Sequence, residues 1–324
     1  MDKAQADRLW RRAMRALSDG MPEMAPHDAT VPVADYLDAS RFERELRLLR
    51  RHPLPVAAAV ELVRPGDYTA LTRLGIPMLI VRGQDGVLRA FVNVCRHRGA
   101  QVVAPGRGTQ GTRFSCPYHA WTYASNGELQ GVPKSFGFPC LDKAGSGLRP
   151  LAVAEAAGLV WVVPDAALAA CDVRQMLGPL ADEFGLHRRL FLAKASLASE
   201  AASGPEAFDP RLHGNIIYFF FPSTALLVQP DHAQLSVWEP LAADRTLVHE
   251  ITLVPEAPAN ERAERHWDRN IALYRTTLAE DYALAESTQA GLASGANESL
   301  RFGRFEFAAP RFHAQLGEAL DALP

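Results

Sequence analysis

Cys95-Arg96-His97 and Cys116-Pro117-Tyr118-His119 each place one thiol and one imidazole a few residues apart, with eighteen residues between the two segments. Thiolate and imidazole are the donors that proteins use for zinc and for iron–sulfur centres. Each segment follows a strand-like run, so the two pairs can stand on loops that face each other. A zinc site of two Cys and two His spaces like with like, C-x₂₋₄-C and later H-x₃₋₅-H, which is not the pattern here. Mixed pairs suit a two-iron, two-sulfide centre in which one iron takes the cysteines and the other the histidines. Such a centre relays one electron at a time, and its imidazoles lift its potential to about −150 to +300 mV. The competing reading is four unligated residues buried by chance. Cys140 and Cys171 have no His at comparable spacing and are expected to be buried structural thiols.

The elements that must position these residues are short strands. Pro77–Arg82 and Val87–Val94 are apolar runs separated by Gly83-Gln-Asp-Gly86, and Ser125-Asn126-Gly127 is a hairpin turn. Gly158-Leu-Val-Trp-Val-Val163 closes a block that reads as a small antiparallel β domain over 51–165. Before it, residues 1–50 read as a helical segment packing on the second domain. Ala6, Leu9, Trp10, Ala13, Met14 and Leu17 form one stripe, opposite a solvated face with Arg8, Arg11, Arg12 and Arg15. A second helix runs through Phe42, Leu46 and Leu49 and is stopped by Pro53 and Pro55. After a weakly helical junction, residues 166–324 carry strands from Ile216 to Val254, with a turn at Ala242–Arg245. A long helix follows over 259–293, with Trp267, Ile271, Tyr274 and Leu278 on one face and Gly295 as its stop. Phe312, Leu316 and Leu320 mark a last short helix.

Composition narrows the classes of function. The 324 residues hold 34 Lys plus Arg against 37 Asp plus Glu, a net charge of -3 that gives no positive field for nucleic acid. No run approaches the roughly 18 apolar residues of a membrane span. Arg11, Arg12 and Arg15 interrupt the apolar stretch that a secretory leader needs. Four Cys are too few for a disulfide framework, so a cytoplasmic setting is expected.

The residues Asn93-Val-Cys-Arg-His-Arg-Gly99 and Phe114-Ser-Cys-Pro-Tyr-His-Ala-Trp-Thr-Tyr123 resemble the Rieske-type non-haem iron oxygenases in their ring-hydroxylating α-subunit form. Gly127-Glu-Leu129 and Gly158–Val162 continue the likeness, which runs from about Tyr36 onward. The resemblance implies an α+β fold: an antiparallel all-β Rieske [2Fe–2S] domain, then a helix-grip (START/Bet v1-like) antiparallel sheet with a long helix. It implies that Cys95 and Cys116 hold the inner iron and that His97 and His119 hold the outer one. Arg98, Tyr118 and Trp121 would surround the cluster. It further implies a ferredoxin or flavin reductase as electron donor, and a homo-trimer or a mixed trimer with an intact α subunit.

Members of that family bind a mononuclear Fe(II) through N-x-x-D-x-x-H-x₄-H and a late carboxylate, a triad with open positions. That His segment is absent here. Between Trp161 and Tyr218 the His residues are His187 and His213, and neither has a second His four or five residues away. Tyr218-Phe-Phe-Phe-Pro222 resembles the strand before the family's substrate pocket, and the resemblance of the helix around Glu280-Asp281 implies Asp281 as the counterpart of the late carboxylate. The sequence passes at about Asp182 to Leu186 from the stretch before the His-bearing helix to one well after it, so a truncated catalytic domain is expected. A rebuilt triad of Asp209, His213 and Asp281 lacks any metal spacing, and Asp231 and His232 would point to opposite faces of a strand. Three functions follow: an oxygenase, an electron-transfer or accessory homologue without its own mononuclear iron, or a binding module for a small apolar ligand.

Overall fold

The computed structural model describes residues 24–109, 112–178 and 215–324, with residues 8, 11, 12, 15 and 18–21 ahead of them. Arg8, Arg11, Arg12 and Arg15 are helical and exposed, as a solvated face should be; the apolar stripe from Ala6 to Leu17 lies outside the described residues. The chain divides into two compact units, Leu49–Phe184 and Met1–Leu48 with Gly185–Pro324.

The N-terminal part begins with strand β1 (Ala29–Pro32), a single turn α1 (Ala34–Leu37) and helix α2 (Ala39–Arg50). The Asp38 carboxylate accepts from the backbone N–H of Ser40 at 2.6 Å and of Arg41 at 3.2 Å. Those bonds satisfy donors that a helix start leaves orphaned; the Ser40 hydroxyl first, and then these backbone bonds, hold the Asp38 carboxyl below its usual range. The helix stops ahead of Pro53, where the ring and the missing N–H forbid continuation.

The first unit is built from three antiparallel sheets. Strands β2 (Leu54–Ala58), β3 (Asp67–Arg73), β4 (Ile76–Arg82), β5 (Leu88–Val92) and β6 (Gly106–Thr109) come first along the chain. Three short strands follow: β7 (Arg113–Ser115), β8 (Thr122–Ala124) and β9 (Leu129–Gly131). Strands β10 (Pro150–Leu151), β11 (Val153–Ala156) and β12 (Leu159–Val162) complete the unit, before the one-turn helix α3 (Val173–Leu177). Strand orders are β10-β5-β4-β3-β6, β11-β12-β2 and β7-β8-β9. Central β4 reads Ile-Pro-Met-Leu-Ile-Val, and Met78 through Val81 are fully buried. A continuous apolar run is what a strand covered on both faces requires.

The β8–β9 hairpin turns at Ser125-Asn126-Gly127, where Gly127 takes φ +89°. A Cβ built there would stand 2.4 Å from Cε1 of the buried Phe91 ring. Both the left-handed backbone and the ring contact demand glycine. Gly127→Ala should therefore cost about 1–3 kcal/mol, read as a lower midpoint of chemical unfolding; an unchanged midpoint would show that the turn relaxes freely.

The second unit holds a four-stranded antiparallel meander, β13 (Ile216–Phe220), β14 (Thr224–Val228), β15 (Ala233–Ala242) and β16 (Arg245–Leu253). Helix α4 (Glu261–Ala293) follows, then β17 (Ser299–Phe302), which pairs with β1, and helix α5 (Ala308–Asp321). Asn260 caps α4 by accepting from the Ala263 N–H at 3.1 Å, and Gly295 beyond its end takes φ +73°. Trp267, Ile271, Tyr274 and Leu278 are the half-buried face of α4, on the predicted 3.6-residue period. Leu316 and Leu320 of α5 pack with Leu48 into a small core, with Phe221 and Phe312 against it. The fold is α+β, an antiparallel β unit followed by an antiparallel sheet with a long helix, as the sequence predicts.

Candidate metal centre

Two loops of the first unit carry the predicted ligands, and they are built alike. The Cys95 N–H donates to the Ala100 carbonyl at 2.8 Å, and the Gly99 N–H returns to the Cys95 carbonyl at 3.0 Å. In the second loop the Cys116 N–H donates to the Trp121 carbonyl at 2.8 Å, and the Ala120 N–H returns to Cys116 at 2.9 Å. The fifth residue of each loop is left-handed, Gly99 at φ +78° and Ala120 at φ +59°. Alanine bears that conformation at a cost glycine escapes, on the order of 1–2 kcal/mol.

Asn93 fastens the first loop. Its side chain, 1% exposed, donates to the Val103 carbonyl at 2.7 Å and accepts from the N–H groups of Val102 and Val103, each at 3.1 Å. A buried amide with its hydrogen bonds made is a rigid strut. The second loop leaves β7 and returns through β8, so both cysteines sit inside the same core with Phe114, Trp121, Tyr123, Leu79 and Phe91.

The four side chains converge. Cys95 and Cys116 are buried free thiols, while His97 and His119 are half-buried with ring centroids 4.7 Å apart. Nδ1 of His97 and Nδ1 of His119 are both buried and have no hydrogen-bond partner. Two orphaned imidazole nitrogens side by side are an unusual cost, since buried polar atoms are nearly always paired. Metal ligation on those atoms removes the cost, so the residues fit a cluster. Burial first, then His119 and Arg98, hold the His97 imidazole below its ordinary range, which favours the neutral, ligating form. Among the described residues no group of three His, Cys, Asp or Glu is arranged for a single ion. A two-iron cluster needs none, because each iron takes two protein ligands and its inorganic sulfides complete the set.

Aromatic rings close the site. Trp121 stacks on His97 at 4.8 Å and 3°, and Phe138 meets both rings edge-on. Tyr118 lies 3.8 Å from His119 but is 58% exposed, and Arg98 is exposed as well. Sequence reasoning missed Asn93 as the strut and Tyr123 as a neighbour of Cys95. The signals were present: a lone polar residue inside Phe91–Val94, and the strand alternation that turns Tyr123 away from Thr122 into the core.

Two expectations are corrected. Cys140 is exposed rather than buried, because it lies in a turn rather than in a strand or helix facing the core; Cys171 is half-buried, and burial pushes its thiol up to about 11. Asp231 and His232 do not lie along a strand with opposed side chains. They occupy the bend before β15, and Nδ1 of His232 is hydrogen-bonded to Asp231 at 2.7 Å.

Asp281 is exposed on α4 and lines a cavity of about 550 Å³ between that helix and the β13–β16 sheet. Trp238, Tyr274 and Tyr282 bring rings to its wall, Ile217, Leu227 and Leu273 are apolar, and no Lys, Arg or His is among its described lining residues. Strand alternation explains the run Tyr218–Phe221: Tyr218 and Phe220 are buried, while Ile217 lines the cavity and Phe219 stays half-exposed. His187, Asp209, His213 and the passage from Asp182 to Leu186 lie outside the described residues. The described residues therefore offer Asp281 but no three-ligand set for a mononuclear iron.

Beside the cavity, Glu250 on β16 accepts from Ser236 at 2.9 Å and from Tyr282 at 3.0 Å. Burial nonetheless dominates and holds its carboxyl above the ordinary range. A folded-state value above the unfolded one means that the protonated form favours the fold. That contribution is full below the unfolded value and is lost as pH rises through the raised one. Glu250→Gln should flatten this part of the stability–pH profile, measured by chemical unfolding from pH 4 to 8; an unaltered slope would assign it elsewhere.

Comparison with known proteins agrees with this architecture. Residues 52–142 match the Rieske [2Fe-2S] domain, and residues 181–322 match the ring hydroxylating alpha subunit catalytic domain. The carnitine monooxygenase oxygenase subunit of Acinetobacter pittii is 37% identical over 137 residues, 42% of this chain and 37% of the relative. The glycine betaine monooxygenase oxygenase subunit of Chromohalobacter salexigens is 33% identical over 151 residues, 46% of this chain and 34% of the relative. The chain thus spans well under half the length of these curated relatives. Among solved structures, a quaternary ammonium Rieske monooxygenase in complex with L-carnitine has TM-score 0.73 at 23% identity, covering 92% of this chain and 96% of that one. Naphthalene 1,2-dioxygenase from Rhodococcus bound to indole has TM-score 0.68 at 19% identity, with both chains covered in full. Paired Cys-His loops on a small antiparallel β unit define a Rieske iron–sulfur protein. With the catalytic-domain match that follows it, the chain carries matches to both domains of the ring-hydroxylating α subunits of Rieske-type oxygenases.

Proposed function

We propose that Cys95 and Cys116 hold the inner iron of a [2Fe–2S] cluster and His97 and His119 the outer one, on the domain at 51–165. The chain would relay single electrons from a ferredoxin or flavin reductase towards oxygenation of a small organic substrate. The observation that carries this reading is the pair of buried, partnerless Nδ1 atoms beside two buried free thiols. When bound, a cluster of this ligation supplies one-electron chemistry. The protein's part is to hold the thiols inside the core and the imidazoles toward the surface, where a redox partner can approach.

The cavity supports a substrate of cationic character. Three aromatic rings and the Asp281 carboxylate, with no basic side chain among its described lining residues, suit an ammonium group through cation–π and charge attraction. That agrees with the relatives named for carnitine and glycine betaine. Quenching of Trp238 fluorescence by a trimethylammonium compound, and not by its neutral isostere, is the expected outcome.

A second reading is favoured by the absent His segment and by the lack of a three-ligand set among the described residues. In it the chain carries no mononuclear iron of its own and serves an intact α subunit in a mixed trimer. Iron per purified chain separates the two. About two irons and no product from the chain alone is the expected result; about three irons with oxygen-dependent product would place oxygenation in this chain.

A further inference from the structure

Four hydroxyls line the cavity between α4 and the sheet, those of Ser236, Tyr274, Thr277 and Tyr282. Where their protons point decides what a ligand meets there, and a proton count gives the direction. The register sets Ser236 of β15 directly across from Glu250 of β16, so the two side chains share the sheet face toward α4. An ionised carboxylate only accepts. Ser236 therefore donates to one Glu250 oxygen at 2.9 Å, and Tyr282 donates to the other at 3.0 Å. Tyr274 stands 3.4 Å from the Ser236 oxygen, whose own proton is already committed, so Tyr274 is the donor of that longer bond. Thr277 donates to the Leu273 carbonyl within α4 at 3.1 Å. All four protons are thus held by the protein, and what the hydroxyls keep for a ligand is lone pairs. Asp281 adds an acceptor to the same wall, while Gln229, Asn270 and Trp238 carry the remaining described N–H donors of the lining.

We propose that Glu250 is a positioning residue for ligand choice: it draws the protons of Ser236 and Tyr282, and through Ser236 that of Tyr274, away from the cavity, so that these hydroxyls accept and do not donate. The proposal rests on the cationic-substrate reading above. It adds a source of selectivity to that reading, since Glu250 is not among the described lining residues and acts through three that are. A cation settles against oxygen lone pairs and aromatic faces. A neutral acceptor of the same shape brings lone pairs to lone pairs, and its desolvation goes uncompensated. Replacing the carboxylate by an amide reverses one of these bonds. The amide oxygen still accepts from one hydroxyl, but its NH2 group donates to the other, whose proton must turn elsewhere. The open direction is the cavity.

The test is calorimetric titration of the full chain with tetramethylammonium and with trimethylphosphine oxide, at pH 8 to keep Glu250 ionised. The two probes are of nearly the same size, but the first is a cation and the second a neutral acceptor. Wild type should prefer the cation. Glu250→Gln should bind the cation about tenfold more weakly and the phosphine oxide severalfold more tightly. A weaker cation with an unchanged phosphine oxide would mean that Glu250 acts by charge alone, and would overturn the positioning role. Unchanged affinities for both would overturn it as well. A wild type without preference for the cation would instead overturn the cationic reading itself. If Glu250→Gln does not fold, Tyr282→Phe keeps the carboxylate and removes one lone-pair oxygen from the wall. The cation should then bind severalfold more weakly and the phosphine oxide as before. An unchanged cation, or a weaker phosphine oxide, would show that the Tyr282 oxygen does not face the ligand as an acceptor and would refute the proposal.

Discussion

Cys95→Ser and His119→Ala should each yield a chain without the visible absorption and the reduced-state magnetic resonance signal of a [2Fe–2S] centre. The loss should be complete rather than graded, because each iron has two protein ligands and removing one leaves it on a single anchor. The loop geometry gives a way to separate this from misfolding. Both loops are closed by backbone hydrogen bonds, and Asn93 holds the first through its side chain. None of these bonds uses a ligand side chain. Circular dichroism should thus report an intact β unit in both variants while the cluster signal vanishes. A surviving spectrum in either variant would refute the ligand assignment.

Trp121→Ala is expected to do damage of a different kind. The indole is 3% exposed, belongs to the core that holds both cysteines, and stacks flat on His97. Removing a buried Trp costs about 3–5 kcal/mol through lost burial and the cavity left behind. For a domain of this size that is a large part of total stability. The same ring sets the plane of the His97 imidazole, so the variant should lose iron faster during chelator challenge than wild type does. Denaturant unfolding read beside the rate of colour loss measures both. A wild-type unfolding midpoint would mean that Phe138, which meets both rings edge-on, closes the gap.

The candidate centre was legible because its residues are local in sequence. Two Cys-His pairs on short loops need only the hairpins around them, and Ser125-Asn126-Gly127 and the apolar runs of β4 and β5 announce those hairpins. The long helix was equally readable, since Trp267 to Leu278 keep one period and Gly295 marks its end. What escaped depends on contacts remote in sequence. Tyr123 reaches Cys95 from twenty-eight residues away, and Asn93 spans ten to reach Val103. Cys140 escaped for the opposite reason: thiols are usually buried, but a turn between elements offers no core to enter. The bend holding Asp231 and His232 defeated strand reasoning because Pro230 and the turn before β15 break the alternation on which that reasoning relies.

Asp281 shows what a motif without its partners leaves open. The residue lines the cavity, on the helix where the family resemblance puts a carboxylate. In the proposed reading its charge would serve a bound cation with or without iron. That double use is why iron counting, rather than mutation of Asp281, separates oxygenase from relay.

Acid-labile sulfide and iron measured on the purified chain, with magnetic resonance of its reduced form, test the cluster most directly. About two sulfides per chain and the signal of a mixed cysteine–histidine [2Fe–2S] centre are expected. A chain that holds zinc, or iron without sulfide, would contradict it.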